Sequence, residues 1–175
     1  RGYTMIVEIL LKAGAGAYIN AKNNFNRTPL HYACFKGYIA IVPLLLSAGA
    51  DVTAMNHFEH TPLRYASQRG HTAIVECLLK KCKDDAVNVV DNEGLTPLHR
   101  ASEYGHTPIV KLLLTKGAAA NAVDEYGKMP IHYAMQNGHP AIVDLIERFQ
   151  AIKLQACWRS YQYRCTLRCS TDTLR

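Results

Sequence analysis

The 175-residue sequence predicts an all-α solenoid: a row of like helix pairs joined by hairpin loops, with an extended helix at the C-terminal end. The first observation behind this is a motif that recurs four times: Thr28-Pro-Leu-His-Tyr-Ala33, Thr61-Pro-Leu-Arg-Tyr-Ala66, Thr96-Pro-Leu-His-Arg-Ala101 and Met129-Pro-Ile-His-Tyr-Ala134. The copies start at 28, 61, 96 and 129, so the intervals are 33, 35 and 33. The second is a glycine followed by a ring-bearing residue after each copy: Gly37-Tyr38, Gly70-His71, Gly105-His106 and Gly138-His139. The third is an apolar stretch after each of these pairs, as in Ile41-Val42 and Ile109-Val110. A unit of this length cannot bury its own apolar face, and stacking like units is what buries it.

Each element follows from local chemistry. The chain begins inside a unit: Gly2-Tyr3 and Met5-Ile6-Val7 match the second half of a repeat, so Arg1 reads as a point within a longer protein. Met5, Ile6, Ile9 and Leu10 would then be exposed and open to self-association. Pro29, Pro62, Pro97 and Pro130 open the first helices, where a missing N–H costs nothing. The threonine before three of them is an N-cap residue. Gly37, Gly70, Gly105 and Gly138 end those helices in the left-handed conformation. The second helices carry helical-period apolar sets, Ile41, Val42, Leu44, Leu45 and Leu46 in one, Ile109, Val110, Leu112, Leu113 and Leu114 in another.

Three features disturb the pattern. Extra residues at Gly14-Ala15-Gly16-Ala17 and at Lys81 to Asp85 fall between a second helix and the next hairpin, where added length costs little. Pro43 is expected in the first turn of its helix. The hairpin turns Asp91-x-x-Gly94 and Asp124-x-x-Gly127 have favourable chemistry, and Asn23-x-x-Asn26 is tolerable. Asn56-x-x-Glu59 is poorer, so the tip around His57 and Phe58 is predicted to be the least regular.

Charge and cysteine usage exclude several classes. Net charge is +6, and residues 151–175 contribute +4 of it through Lys153, Arg159, Arg164, Arg168 and Arg175 against Asp172. The body is close to neutral, which argues against a nucleic-acid face. Six scattered cysteines form no C-x-x-C pair, so neither zinc nor another cofactor is expected, and a reducing, cytoplasmic setting is. There is no secretory signal pattern, and no apolar run is long enough to span a bilayer.

The repeated T-P-L-H-x-A motif resembles the ankyrin repeat over residues 2 to about 149. The resemblance implies a β-hairpin and two antiparallel helices per unit, in a curved protein-binding scaffold. It also implies that partners are held by the hairpin tips and the inward face of the first helices. The matching positions are Asn24, Phe25, Arg27, Phe35 and Lys36, then His57, Phe58, His60, Gln68 and Arg69. In the later repeats they are Asn92, Glu93, Leu95, Glu103 and Tyr104, then Glu125, Tyr126, Lys128, Gln136 and Asn137. Phe25, Arg27, Phe35, Lys36, Phe58, His60, Arg69, Tyr104, Tyr126 and Lys128 are the candidate partner-binding set, because aromatic and cationic side chains dominate interface energetics. Packing of Phe25 and Phe58 over neighbouring hairpins is the competing reading.

Eight histidines invite a metal or catalytic role. Six of them fill repeat slots: His31, His99 and His132 in the motif, where the family's histidine bonds the repeat's own backbone, and His71, His106 and His139 after the glycine. His57 and His60 have no cysteine partner, and the array contains no Ser-His-Asp order, phosphate loop or H-E-x-x-H. No enzyme is expected.

After Ile146 the pattern changes. From Ala141 to Arg175 there is neither Gly nor Pro, so the last helix is expected to run to about Leu167, which divides the chain into an array, 1–149, and a basic helical tail, 150–175. Leu154, Gln155, Trp158, Arg159, Arg164 and Leu167 resemble the IQ motif, which binds calmodulin, although Ser160 stands where that motif usually has glycine. An array running into such a helix resembles the inversin family and implies a ciliary or cytoskeletal scaffold. Three alternatives stand beside this reading: a structural array whose tail only caps the last repeat, the regulatory region of an enzyme whose catalytic domain lies elsewhere, and a tail that binds a membrane surface.

Overall fold

The computed structural model describes residues 3–82 and 84–172, with side chains beyond Trp158 outside that description. Among the described residues the regular elements are α1 (Thr4–Lys12), α2 (Pro29–Lys36), α3 (Ile41–Ser47), α4 (Pro62–Arg69), α5 (Thr72–Lys81), α6 (Pro97–Glu103), α7 (Thr107–Thr115), α8 (Pro130–Gln136) and α9 (Pro140–Asp172), with short 3-10 turns at Ala15–Tyr18 and Asp84–Asn88. The first helices α2, α4, α6 and α8 stack as one row. The second helices α1, α3, α5, α7 and α9 stack as another. The predicted all-α solenoid is therefore the observed architecture.

The core lies between the rows and is continuous along them. Leu30, Leu63 and Leu98 from the first row meet Val42, Val75 and Val110 from the second, all within 1% of complete burial. Burying each such side chain contributes roughly 1.5–3 kcal/mol, and helices of adjoining repeats pack against one another along both rows. In α1 no residue is buried, and Met5, Ile6, Ile9 and Leu10 are exposed, as the incomplete first unit predicts.

The details of the first row follow the prolines. Each of α2, α4, α6 and α8 has proline at its first position after an extended cap residue. The Thr61 and Thr96 side chains accept from the N–H groups of Arg64 (3.2 Å) and His99 (3.3 Å). Pro43 is the third residue of α3, within the first turn as expected, and α3 carries no kink-forming residue beyond it.

Two expectations are corrected. The β-hairpins are not formed as strands among the described residues. Each tip is a tight turn in which one residue donates across to the fourth beyond it, as from Asn23 to Arg27 at 3.1 Å and from Asp91 to Leu95 at 3.1 Å. The arms are too short to add a further rung. The Asn56–Glu59 tip is also no less regular than its neighbours. Asn56 Oδ1 accepts from Phe58 (2.8 Å) and His60 (3.0 Å) just as Asp91 Oδ1 accepts from Glu93 (3.1 Å) and Leu95 (3.0 Å). The side-chain acceptor, which asparagine and aspartate share, shapes the turn. Glu59 is forced to φ 57°, a strain it carries without a glycine's freedom.

The glycines at the first-helix ends also fix the spacing of repeats. Gly105 has φ 76°, and a Cβ there would lie 2.6 Å from His139 Cε1 of the following unit. Gly138 has φ 71° and open space around it. Gly105→Ala should therefore lose about 2 kcal/mol or more in a urea melt, because backbone strain and a clash add. Gly138→Ala should lose only about 1 kcal/mol, from the backbone alone.

Candidate functional site

The tips and the exposed side of the first-helix row form one surface, and a ladder of polar links holds it in register. The Thr28 N–H donates to His31 Nδ1 at 3.1 Å, so the ring proton sits on Nε2 and is donated to the carbonyl of His60 in the next tip at 3.0 Å. His99 repeats this between Thr96 and the Lys128 carbonyl, at 3.1 Å on both sides. The motif histidine thus bonds its own repeat, as expected, and its successor as well. Burial lowers the pKa of both rings. The post-glycine histidines link the other way: His106 Nε2 reaches the Gln68 carbonyl at 3.0 Å and His139 Nε2 the Glu103 carbonyl at 3.1 Å. Backbone bonds join the tips directly, from His57 N–H to the Phe25 carbonyl and from Glu125 N–H to the Glu93 carbonyl.

This repeating surface is an ankyrin surface, and the family comparison agrees with it. A family model described as ankyrin repeats (3 copies) matches residues 1–56 and 63–155. The chain belongs to the ankyrin-repeat family. No curated protein matches it.

Within this ankyrin array one junction departs from the rest. At the motif-histidine slot of the second full repeat stands Arg64, and at the motif-tyrosine slot of the third stands Arg100. Elsewhere that tyrosine bonds its own tip: Asn23 Nδ2 donates to Tyr32 at 3.0 Å, Asn56 Nδ2 to Tyr65 at 2.9 Å, and the Tyr133 hydroxyl donates to Asp124 at 2.6 Å. Both arginines instead converge on Asp91, Arg64 Nε at 2.9 Å and Arg100 Nη2 at 3.4 Å from Oδ2. Arg100 also pairs with Glu93 at 2.8 Å and Glu103 at 3.1 Å. Burial alone would raise the Asp91 carboxyl, but the Leu95 N–H and the Arg64 guanidinium outweigh it and hold the group below its usual value.

The candidate binding residues divide in three. Phe25, Phe58, Tyr104 and Tyr126 are exposed, Tyr126 to 78%. Arg69, Lys36 and Lys128 are exposed beside them. Phe25 and Phe58 thus stay on the surface and are not covered by neighbouring hairpins. Phe35 is half-buried and packs edge-on against Tyr65, with ring centres 5.5 Å apart. It lines a cavity of about 170 Å³ together with Arg27, His31, Tyr32, Lys36 and Tyr65. His60 turns inward: its side chain is 16% exposed, its Nδ1 lies 3.3 Å from the Tyr65 hydroxyl, and its Nε2 lies 3.7 Å from Asp91 Oδ2. Burial, with Arg64 beside it, pushes the His60 pKa down to about 4. Leu95, a tip position by family alignment, is 3% exposed and belongs to the interior.

The tail positions fall on α9. Ile142 and Ile146 are fully buried and Phe149 packs against the core, but every residue from Ala151 to Trp158 is exposed. Leu154, Gln155 and Trp158 are thus on open helix surface. Arg159, Arg164 and Leu167 lie on the helix backbone with side chains outside the described residues. Tyr32, Tyr65, Arg64, Arg100 and Asp91 are the surface-defining residues that motif matching missed. The signal was present, in the two motif copies that carry arginine where the others carry histidine or tyrosine.

Two outcomes follow. Asp91→Asn keeps the turn, because Asn23 and Asn56 fill the same slot, yet it removes the only carboxylate paired with Arg64 among the described residues, while Arg100 keeps Glu93 and Glu103. It should lose about 3 kcal/mol in denaturant melts, with Arg64→His recovering part of the loss. Secondly, His31, His60 and His99 have lowered pKa values, so the unfolded chain takes up their protons first as pH falls. Stability from these groups is complete above their ordinary pKa of 6.5 and is lost as pH falls below it, for His60 down to about 4. The urea midpoint should therefore fall between about pH 7.5 and about pH 5, and less steeply in His60→Gln.

Proposed function

We propose that this chain is a non-catalytic scaffold that holds a protein partner on its tips and first-helix face and recruits calmodulin through its C-terminal helix. The observation that carries the reading is the exposure of aromatic rings at one register in three tips, Phe25, Phe58 and Tyr126, on tips tied to one another by backbone hydrogen bonds. Rings that are held rigidly and left uncovered supply contact area at little entropic cost. Phe35, Tyr104, Lys36, Arg69 and Lys128 extend the same surface.

We place the functional boundary at 149/150, a reading supported by the decline of burial along α9, where Phe149 and Gln150 are partly buried and Ala151 to Trp158 are exposed. Up to Phe149 the helix closes the last repeat. Beyond it the IQ-like residues Leu154, Gln155 and Trp158 are presented to solvent, Leu154 at 72% and Trp158 at 61% exposure. A basic helix with exposed aromatic residues suits a helix-in-groove partner such as calmodulin. The similarity of array plus helix to the inversin family supports a ciliary or cytoskeletal setting. No described helix is long and apolar enough to cross a membrane.

Titration calorimetry of calmodulin against the full chain, with and without calcium, tests the tail. Heat should appear in at least one condition and the affinity should fall about tenfold or more in Trp158→Ala. No heat in either condition removes calmodulin from the reading. Deleting residues 151–175 should leave the melting transition nearly unchanged, whereas a large fall in stability would show that the tail is a cap and not a recruitment element.

A further inference from the structure

The cavity between the first two full repeats is ringed by cations. Arg69 Cζ lies 4.2 Å from the Phe35 ring centre and Lys36 Nζ 5.5 Å from it, while Arg27 Cζ lies 5.8 Å from the Tyr65 ring centre. Among the described residues none of the three is in an ion pair. The Arg27 Nε is buried without a hydrogen-bond partner. A buried donor of this kind carries a desolvation cost that an incoming acceptor would relieve. The cavity has a volume of about 170 Å³ and aromatic walls. An apolar cavity of roughly 150 Å³ is large enough to hold a benzene ring.

The next repeats carry the opposite sign. Arg100 is taken up by Asp91, Glu93 and Glu103, and Glu93 and Glu125 remain exposed there with Lys128. A uniformly charged polyanion laid along the face would be attracted at one end and repelled at the other, which disfavours nucleic acid. A peptide with one acidic stretch has no such conflict.

We propose that this cavity anchors an acidic segment of a protein partner, whose apolar side chain enters between Phe35 and Tyr65 while flanking carboxylates meet Arg27, Lys36 and Arg69. The proposal rests on the reading of the array as a protein-binding surface. Charge complementarity sets the polarity of the bound segment, acidic end over the first two full repeats.

Two measurements on the full chain test it. A short fluorescein-labelled peptide of glutamates around a central phenylalanine should bind saturably by anisotropy. Binding should weaken with salt and fall at least about tenfold in Lys36→Glu/Arg69→Glu, two exposed positions whose reversal leaves the core intact. Equal binding of a lysine-for-glutamate peptide, or of the double variant, overturns the proposal. Panning a random displayed peptide library separates this failure from failure of the array reading. Enriched peptides that are acidic and aromatic support the site. Enriched peptides that are neutral or basic, or that ignore the double variant, sink the site and leave the array reading standing. No enrichment counts against both.

Discussion

The structure depends on apolar surface shared across repeat boundaries. No helix pair in the chain buries its own inward side chains. Leu63 and Val75 disappear from solvent only because α2, α3, α6 and α7 flank them. The hydrophobic effect therefore acts between units as much as within them, and stability propagates along the row from neighbour to neighbour.

Polar links then decide the register that burial alone leaves loose. Histidines run in both directions between adjacent units: His31 and His99 forward to the next tip, His106 and His139 back to the preceding helix end. His31 and His99 add a second bond to carbonyls that already accept their own tip's backbone N–H, those of His60 and Lys128. At the junction where Arg64 replaces the forward histidine, Asp91 and Arg100 replace the missing link by charge. That substitution exchanges a neutral bond for an ionic one with a high desolvation cost, which makes this junction the most sensitive to loss of one partner.

Much of this was legible in the residues, and the illegible parts have a common cause. Helix starts, helix ends and the position of Pro43 follow from local chemistry, and the two rows are what the ankyrin resemblance of the repeated motif implies. The regularity of the Asn56 tip was misjudged because Glu59 was weighed by itself, while the Asn56 side-chain acceptor governs the turn. Leu95 and His60 were assigned to the surface by alignment, yet one faces the core and the other lies against Tyr65 and Asp91. Side-chain direction at a tip depends on the neighbouring repeat, and no single motif copy contains that information. The Arg64–Asp91–Arg100 cluster spans two repeats for the same reason.

The unbroken run of α9 from the last repeat into the tail has a mechanical consequence. Helix α9 begins inside the last repeat, anchored by Ile142 and Ile146, and continues to Asp172. At 1.5 Å rise per residue, its part after Phe149 reaches roughly 35 Å. A body gripping that rod inherits a fixed bearing from the array, since there is no swivel between anchor and arm. Whatever sits on the rod and whatever sits on the tips are thereby kept at a set separation, like two tools mounted on one shaft.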